Sequence, residues 1–293
     1  MYFDFNLLPS TNKDQINNET VEAILTRLKT LSPATIAWNS ILEDINQFKP
    51  TNMSRSNIST DQITQLSRLT IKVDNPKKNY QLTTNNVMNQ KIDLLAVQPL
   101  TLDACKQSCQ VYEIDLISLD LSNQSITPGY VAAQVAVTRG IFFEICYTQS
   151  YLDPSLRSSF ISNVGKLINQ TRGHNLIFSS GALNALHIKR VSDIKILALM
   201  FGMTQLQAEA ATGSNYTRLL RRAETRKNTI LAAISVNKPI STTNTPMELD
   251  DDGNDKNQNQ NSNQNKRKND ETNDLNQKKK KKKKQKKDPS SSS

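Results

Sequence analysis

Histidine is nearly missing from this chain: 293 residues contain two, His174 and His187. A polynuclear metallohydrolase needs several His and carboxylate side chains converging on its metals. Here one histidine precedes a strand candidate and the other follows it, which puts them at opposite ends. Glycine is scarce too, with eight residues and no Gly-x-x-x-x-Gly-Lys-Ser/Thr or Gly-x-Gly-x-x-Gly stretch, so there is no loop to cradle nucleotide phosphates. A Gly-x-Ser-x-Gly elbow and a Cys/His pair are also absent, which argues against nucleophilic catalysis. Three cysteines are an odd number and unlike a secreted disulfide framework. Cys105 and Cys109 share one helical face, Cys146 falls in a strand, and all three read as small buried hydrophobes. No run approaches the roughly 18 apolar residues of a membrane span. Met1-Tyr2-Phe3-Asp4-Phe5 lacks the basic and apolar regions of a secretory leader. These absences predict a cytosolic or nuclear protein without a catalytic constellation.

What the chain has is alternation. Apolar, β-rich runs at 2–5, 35–38, 69–73, 93–97, 116–121, 141–147 and 175–179 are mostly continuous rather than alternating, the mark of strands buried on both faces of a parallel sheet. Helical segments with readable starts lie between them. Thr127-Pro128 precedes one and Asp153-Pro154 another, Ser192-Asp193 opens a third with Gly202 after it, and Thr204-Gln205-Leu206-Gln207 has the form of a capping box. Strand–helix repetition over about 240 residues predicts one α/β domain closed as a TIM-like barrel, with an open doubly wound sheet as the alternative. Residues 46–64 are polar, contain Pro50 and read as a surface loop. From 239 to 293 the chain turns to Ser, Thr, Asn, Gln and charge, a composition expected to stay disordered. The domain therefore spans 1–238.

Charge is uneven. Residues 1–128 hold 11 Lys and Arg against 13 Asp and Glu, whereas 129–246 hold 13 against 5. A one-sided excess suits a polyanion, because each neutralised phosphate releases counterions. Candidate contacts are Lys189 and Arg190 in a loop, and Arg218, Arg221, Arg222, Arg226 and Lys227 on a helix. Arg218, Arg221 or Arg222, and Arg226 recur at three- and four-residue spacing, which places them on one face; a solvated surface helix gives the same pattern. Arg139 ends a helix just before a strand containing Glu144, and a buried carboxylate there needs a partner. Arg139 is the nearest one in sequence, and an ion pair or direct RNA contact would each account for it. Ser179-Ser180-Gly181, between a strand and a helix, reads as a phosphate-binding turn or a simple tight turn. In the tail, Lys266-Arg267-Lys268 and the lysine run 278–284 read as a nuclear or nucleolar address.

Several segments together are similar to a known family: Leu66-Ser67-Arg68-Leu69-Thr70-Ile71, Asp93-Leu94-Leu95-Ala96-Val97, Ala136-Val137-Thr138-Arg139-Gly140-Ile141, Asn175-Leu176-Ile177, Leu199-Met200-Phe201-Gly202-Met203 and Ala223-Glu224-Thr225-Arg226-Lys227. In this order they resemble the thirty-kilodalton protein subunit of nuclear ribonuclease P and ribonuclease MRP, over residues 2–238 and most strongly over 135–227. The resemblance implies a TIM-barrel-like fold of the polymerase-and-histidinol-phosphatase type. Residues 2–6 stand where such hydrolases carry a His-rich metal motif, and they contain no histidine. It implies an RNA-binding subunit, with Arg68 added to the contact set and Lys189 standing where the family has Arg. No catalytic residue, metal or cofactor of its own is expected, and Mg²⁺ would belong to the catalytic RNA that removes 5′ leaders from precursor tRNA. The implied partners are that RNA, precursor tRNA, a small ferredoxin-like subunit and the other subunits of the complex, in the nucleus and nucleolus. A divergent metal-dependent phosphoesterase of the same barrel, and a scaffold that binds only proteins, are the competing readings.

Overall fold

Seven parallel strands lie side by side in chain order. They are β1 Tyr2–Leu7, β2 Ala34–Leu42, β3 Ile63–Val73, β4 Leu94–Pro99, β5 Leu116–Ser118, β6 Phe142–Cys146 and β7 Leu176–Ser179. This computed structural model describes residues 1–8, 11–12, 15–16, 18–31, 33–43, 61–76, 82, 91–122, 126–230 and 234–235. Most of the expected 46–64 loop, and the expected disordered tail with its boundary at 238/239, lie outside those residues. The sheet closes on itself just past β7: Leu7 bridges to Ala182, the Leu8 N–H donates to the Ala182 carbonyl (2.9 Å), and the Ala182 N–H donates to that of Asn6 (3.2 Å). The result is a TIM-barrel-like fold with seven parallel strands among the described residues.

The helices follow the strands: α1 Asn18–Lys29, α2 Leu102–Gln110, α3 Tyr130–Thr138, α4 Gln149–Leu152, α5 Arg157–Thr171, α6 Val191–Met200, α7 Gln205–Thr212 and α8 Ser214–Asn228. Thr204 and Gln207 form the expected capping box on α7. Other starts move by a few residues. Gly129, at φ 77°, is the N-cap of α3, a backbone state that favours glycine. Asp153 does not cap α5; its carboxylate instead accepts from the Ser155 N–H and hydroxyl. Arg190, not Ser192, caps α6.

Two apolar clusters follow from the barrel. The larger packs the outer faces of the strands against α1 through α7, with Leu28, Ile71, Phe143, Phe160 and Leu167 fully buried. The smaller fills the lower half of the barrel interior with Phe5, Leu94, Leu116, Phe142 and Ile177, and α8 closes it with Tyr216, Leu219 and Ala223. Helix α8 stands outside the strand–helix repeat and lies across the residues that lead into β4, β5, β6 and β7. The three cysteines are buried and unpaired.

Candidate nucleic-acid interface

The mouth of such a barrel, at the C-terminal ends of its strands, is where catalytic groups gather in enzymes of this architecture. Here the space beneath the mouth is taken by an ion pair. Arg68, pointing inward from β3, donates from Nη1 to Glu144 Oε1 (2.5 Å) and from Nη2 to Oε2 (2.7 Å), with both side chains fully buried. The expected partner of Glu144, Arg139, instead binds Glu113 (2.8 Å) and the carbonyls of Cys109 and Tyr112. Ser118 and Asn6 also donate to Glu144, at 2.6 and 3.1 Å. Asn39 then bonds Asn6, Thr70 bonds Asn39, and Arg68 Nε bonds Thr70. The Arg68 Nη1 also donates to the Phe5 carbonyl (2.8 Å). Burial pushes the Glu144 carboxyl up, but the Arg68 charge and the donors around it win and hold it below the usual range. Arg68 is thus removed from the RNA-contact set, because its guanidinium is wholly spent inside the barrel.

Asp4 pins the seam. Its Oδ1 accepts from the backbone N–H of Asn6 (3.2 Å) and of Ser180 (3.1 Å), and Tyr2 donates its hydroxyl to Oδ2 (3.3 Å). No cation is among these contacts, so burial dominates and raises the carboxyl from 3.8 to about 6. Of the two readings of Ser179-Ser180-Gly181, the phosphate-binding turn is thereby overturned: both serines are buried, and the Ser180 N–H that would meet a phosphate serves Asp4. A pH prediction follows. A carboxyl with a raised folded pKa favours the fold in its protonated form; that contribution is present near pH 4 and is lost as the pH rises through about 6. Asp4→Asn keeps an acceptor for both N–H groups and never ionises. Its stability relative to wild type, read from urea midpoints, is expected to rise by on the order of 2–3 kcal/mol between about pH 4 and pH 7. A constant difference across that range would rule out a titrating Asp4.

The arginines of α8 have structural work. Arg222 donates to the carbonyls of Ile114 and Arg139. Arg226 reaches Asp115 (2.9 Å) and the carbonyls of Ile92 and Asp93, and Lys227 pairs with Asp93 (2.9 Å). Arg218 donates to Asn175 and Asn215 and lies over the Phe142 ring. Positions 218, 222 and 226 form one face, as the spacing predicts, and that face is turned to the barrel floor. Arg218 and Arg221 are the exposed arginines of the helix, Arg218 in spite of its contacts. Sequence reasoning missed Asp115, whose carboxylate is wholly buried; an acid directly ahead of an apolar strand was the available signal.

The remaining candidates stand at the other end. Lys189, half-buried, holds its ammonium 5.3 Å from the centre of the Tyr151 ring, and Arg190 is exposed beside it. Tyr151 donates its hydroxyl to the His187 carbonyl, and Arg157 bonds the Ser150 carbonyl. Arg27, Leu186, Ile188, Lys189 and Asp193 line a cleft of about 430 Å³. Burial and the Lys189 charge lower the His187 pKa, so that ring is neutral at pH 7. Cation, aromatic ring and apolar wall together can hold a phosphate and a base. Among the described residues, no group of three or more His, Cys, Asp and Glu side chains is placed to hold a metal ion.

The chain is similar to known proteins. The family model described as RNase P subunit p30 matches residues 1–228. Protein GAMETOPHYTE DEFECTIVE 1 of Arabidopsis thaliana is 31% identical over 173 residues, 59% of this chain and only 30% of that protein. Ribonuclease P protein subunit p30 of Mus musculus is 30% identical over 190 residues, 64% of this chain and 68% of the relative. In the cryo-EM structure of archaeal ribonuclease P with mature tRNA, one chain superposes with a TM-score of 0.57 at 15% identity, covering 80% of this chain and 98% of that one; this likeness shows the fold. With a family match that takes in the whole barrel from β1 to α8, the chain belongs to the RNase P subunit p30 family.

Proposed function

We propose that this chain is a protein subunit of the ribonuclease P ribonucleoprotein that binds and scaffolds the catalytic RNA for removal of 5′ leaders from precursor tRNA. The observation that carries the reading is the family match across residues 1–228. The filled mouth supports it: Arg68, Ser118 and Asn6 occupy Glu144, a carboxylate of the barrel's interior network. That arrangement disfavours the metal-dependent phosphoesterase. In this reading the Mg²⁺ of the reaction belongs to the RNA, and the protein contributes contacts and shape. The complex acts in the nucleus, with the nucleolus as the finer address. A small ferredoxin-like subunit is the expected protein partner, and ribonuclease MRP, with its part in rRNA processing, the second assembly.

The RNA face is the rim carrying Lys189 and Arg190. Arg218 and Arg221 on α8 are the remaining exposed candidates. Arg139, Arg222, Arg226 and Lys227 act chiefly in the fold. The Lys189→Ala/Arg190→Ala variant is expected to bind the catalytic RNA about tenfold more weakly. Its slope of log affinity against log salt should be shallower by roughly one to two units, in a filter-binding titration with wild-type thermal unfolding as control. An unchanged slope would move the RNA surface elsewhere, and a crosslink map would say where.

A further inference from the structure

Two long stretches of this chain contain no acidic residue. Residues 121–143 and 154–192 lack Asp and Glu altogether, while carrying Arg139, Arg157, Lys166, Arg172, Lys189 and Arg190. Helices α3 and α5 come from these stretches and pack against each other, and where they meet an aromatic ring faces water. Tyr130, the first residue of α3, is 47% exposed, and Val131 next to it is 71% exposed. The guanidinium of Arg172, just past the end of α5, lies 5.4 Å from the centre of the Tyr130 ring.

This pair is held in place. Arg172 is the left-handed cap of α5 at φ 55°. Its N–H donates to the Asn169 carbonyl, the next N–H donates to that of Ile168 (2.9 Å), and its own carbonyl accepts from Gln207 on α7 (3.1 Å). Across the seam, Gln134 of α3 donates to the Gln170 carbonyl (2.8 Å), and the Gln170 amide donates to Thr127 (3.3 Å). An exposed ring with a cation on it, fixed by two helices that come from acid-free stretches of the chain, offers a base a surface to stack on and its phosphate a charge to meet. A protein partner would call for a wider apolar patch; here the exposed apolar surface is Tyr130 and Val131, with the Arg172 cation on the ring.

We propose that Tyr130 and Arg172 form a stacking site for an unpaired nucleotide, a second RNA contact separate from the Lys189–Arg190 rim. It rests on the reading of the chain as an RNA-binding subunit. Base–aromatic stacking is worth about 1–3 kcal/mol per base, so removal of the ring is expected to weaken binding roughly tenfold. The test uses the full chain with two labelled probes, a single-stranded oligouridylate and a fully paired RNA duplex of equal length. Tyr130→Ala should lose about tenfold on the single strand and nothing on the duplex, Arg172→Ala should lose affinity in the same sense, and Tyr130→Phe should bind as wild type. Because Tyr130 is half outside the fold, all three should melt with the wild type. Tyr130→Ala at wild-type affinity on the single strand, or with an equal loss on both probes, overturns the stacking site. If Lys189→Ala/Arg190→Ala loses affinity while Tyr130→Ala does not, this site alone fails. If neither variant loses affinity on any RNA, the RNA-binding reading fails with it.

Discussion

Arg68→Ala is expected to destabilise the domain by about 3–5 kcal/mol, a large part of the roughly 5–15 kcal/mol that holds a domain folded. Glu144 would stay behind with no exposure to water and with its counter-charge gone. Ser118 and Asn6 hydrogen bonds alone do not compensate a buried carboxylate. The pair itself contributes less than this loss, because desolvating two charges offsets most of their attraction. Arg68→Met/Glu144→Leu should therefore recover part of the loss, but not all, since Asn6, Ser118 and Thr70 then lose a partner they now satisfy. Urea midpoints of the three proteins decide it. A single variant within about 1 kcal/mol of wild type would mean that water reaches the pair.

The second large effect lies at the other end of the barrel. Arg226→Ala strips Asp115 of its cation, leaving a carboxylate with no solvent exposure and one remaining backbone donor, the Leu95 N–H at 2.9 Å. It also bares the carbonyls of Ile92 and Asp93. The expected loss is about 3 kcal/mol or more. Arg221→Ala, five positions earlier on the same helix and exposed, should change stability by less than about 0.5 kcal/mol. Thermal unfolding of the two variants separates the roles directly; equal melting would show that α8 does not seal the floor. Neutralising Arg218, Arg221 and Arg226 together would confuse folding with binding, because two of the three hold the barrel.

These two sites also mark what a sequence can disclose. The strands were readable because burial on both faces leaves an unbroken apolar run, and β6 and β7 lie within one residue of expectation. The first half of β3 was not, because Ile63-Thr64-Gln65-Leu66-Ser67-Arg68 has only two apolar residues, three apart, and so shows neither a continuous apolar run nor a strand period. Its polar members are satisfied at long range, Gln65 by Trp38, Ser67 by Asp93 and Arg68 by Glu144. Proximity in sequence chose Arg139 for Glu144, whereas the true partner lies 76 residues away and only the curl of the sheet brings it near. Spacing put the α8 arginines on one face correctly, but no periodicity tells whether a cationic face looks out at phosphate or in at carbonyl oxygens. Tyr130 and Arg172 were legible only as an acid-free context, since a ring and a guanidinium 42 positions apart announce no contact.

The floor of the barrel has a consequence for how the molecule comes into being. β1 finds its second neighbour only at Ala182, and carbonyls ahead of β4, β5 and β6 are met by cations of α8. Contacts so distant in the chain close late, since loop entropy must be overcome before they form. On the ribosome, the first half of this protein must wait, seam open and Asp115 uncompensated, until residue 228 has emerged.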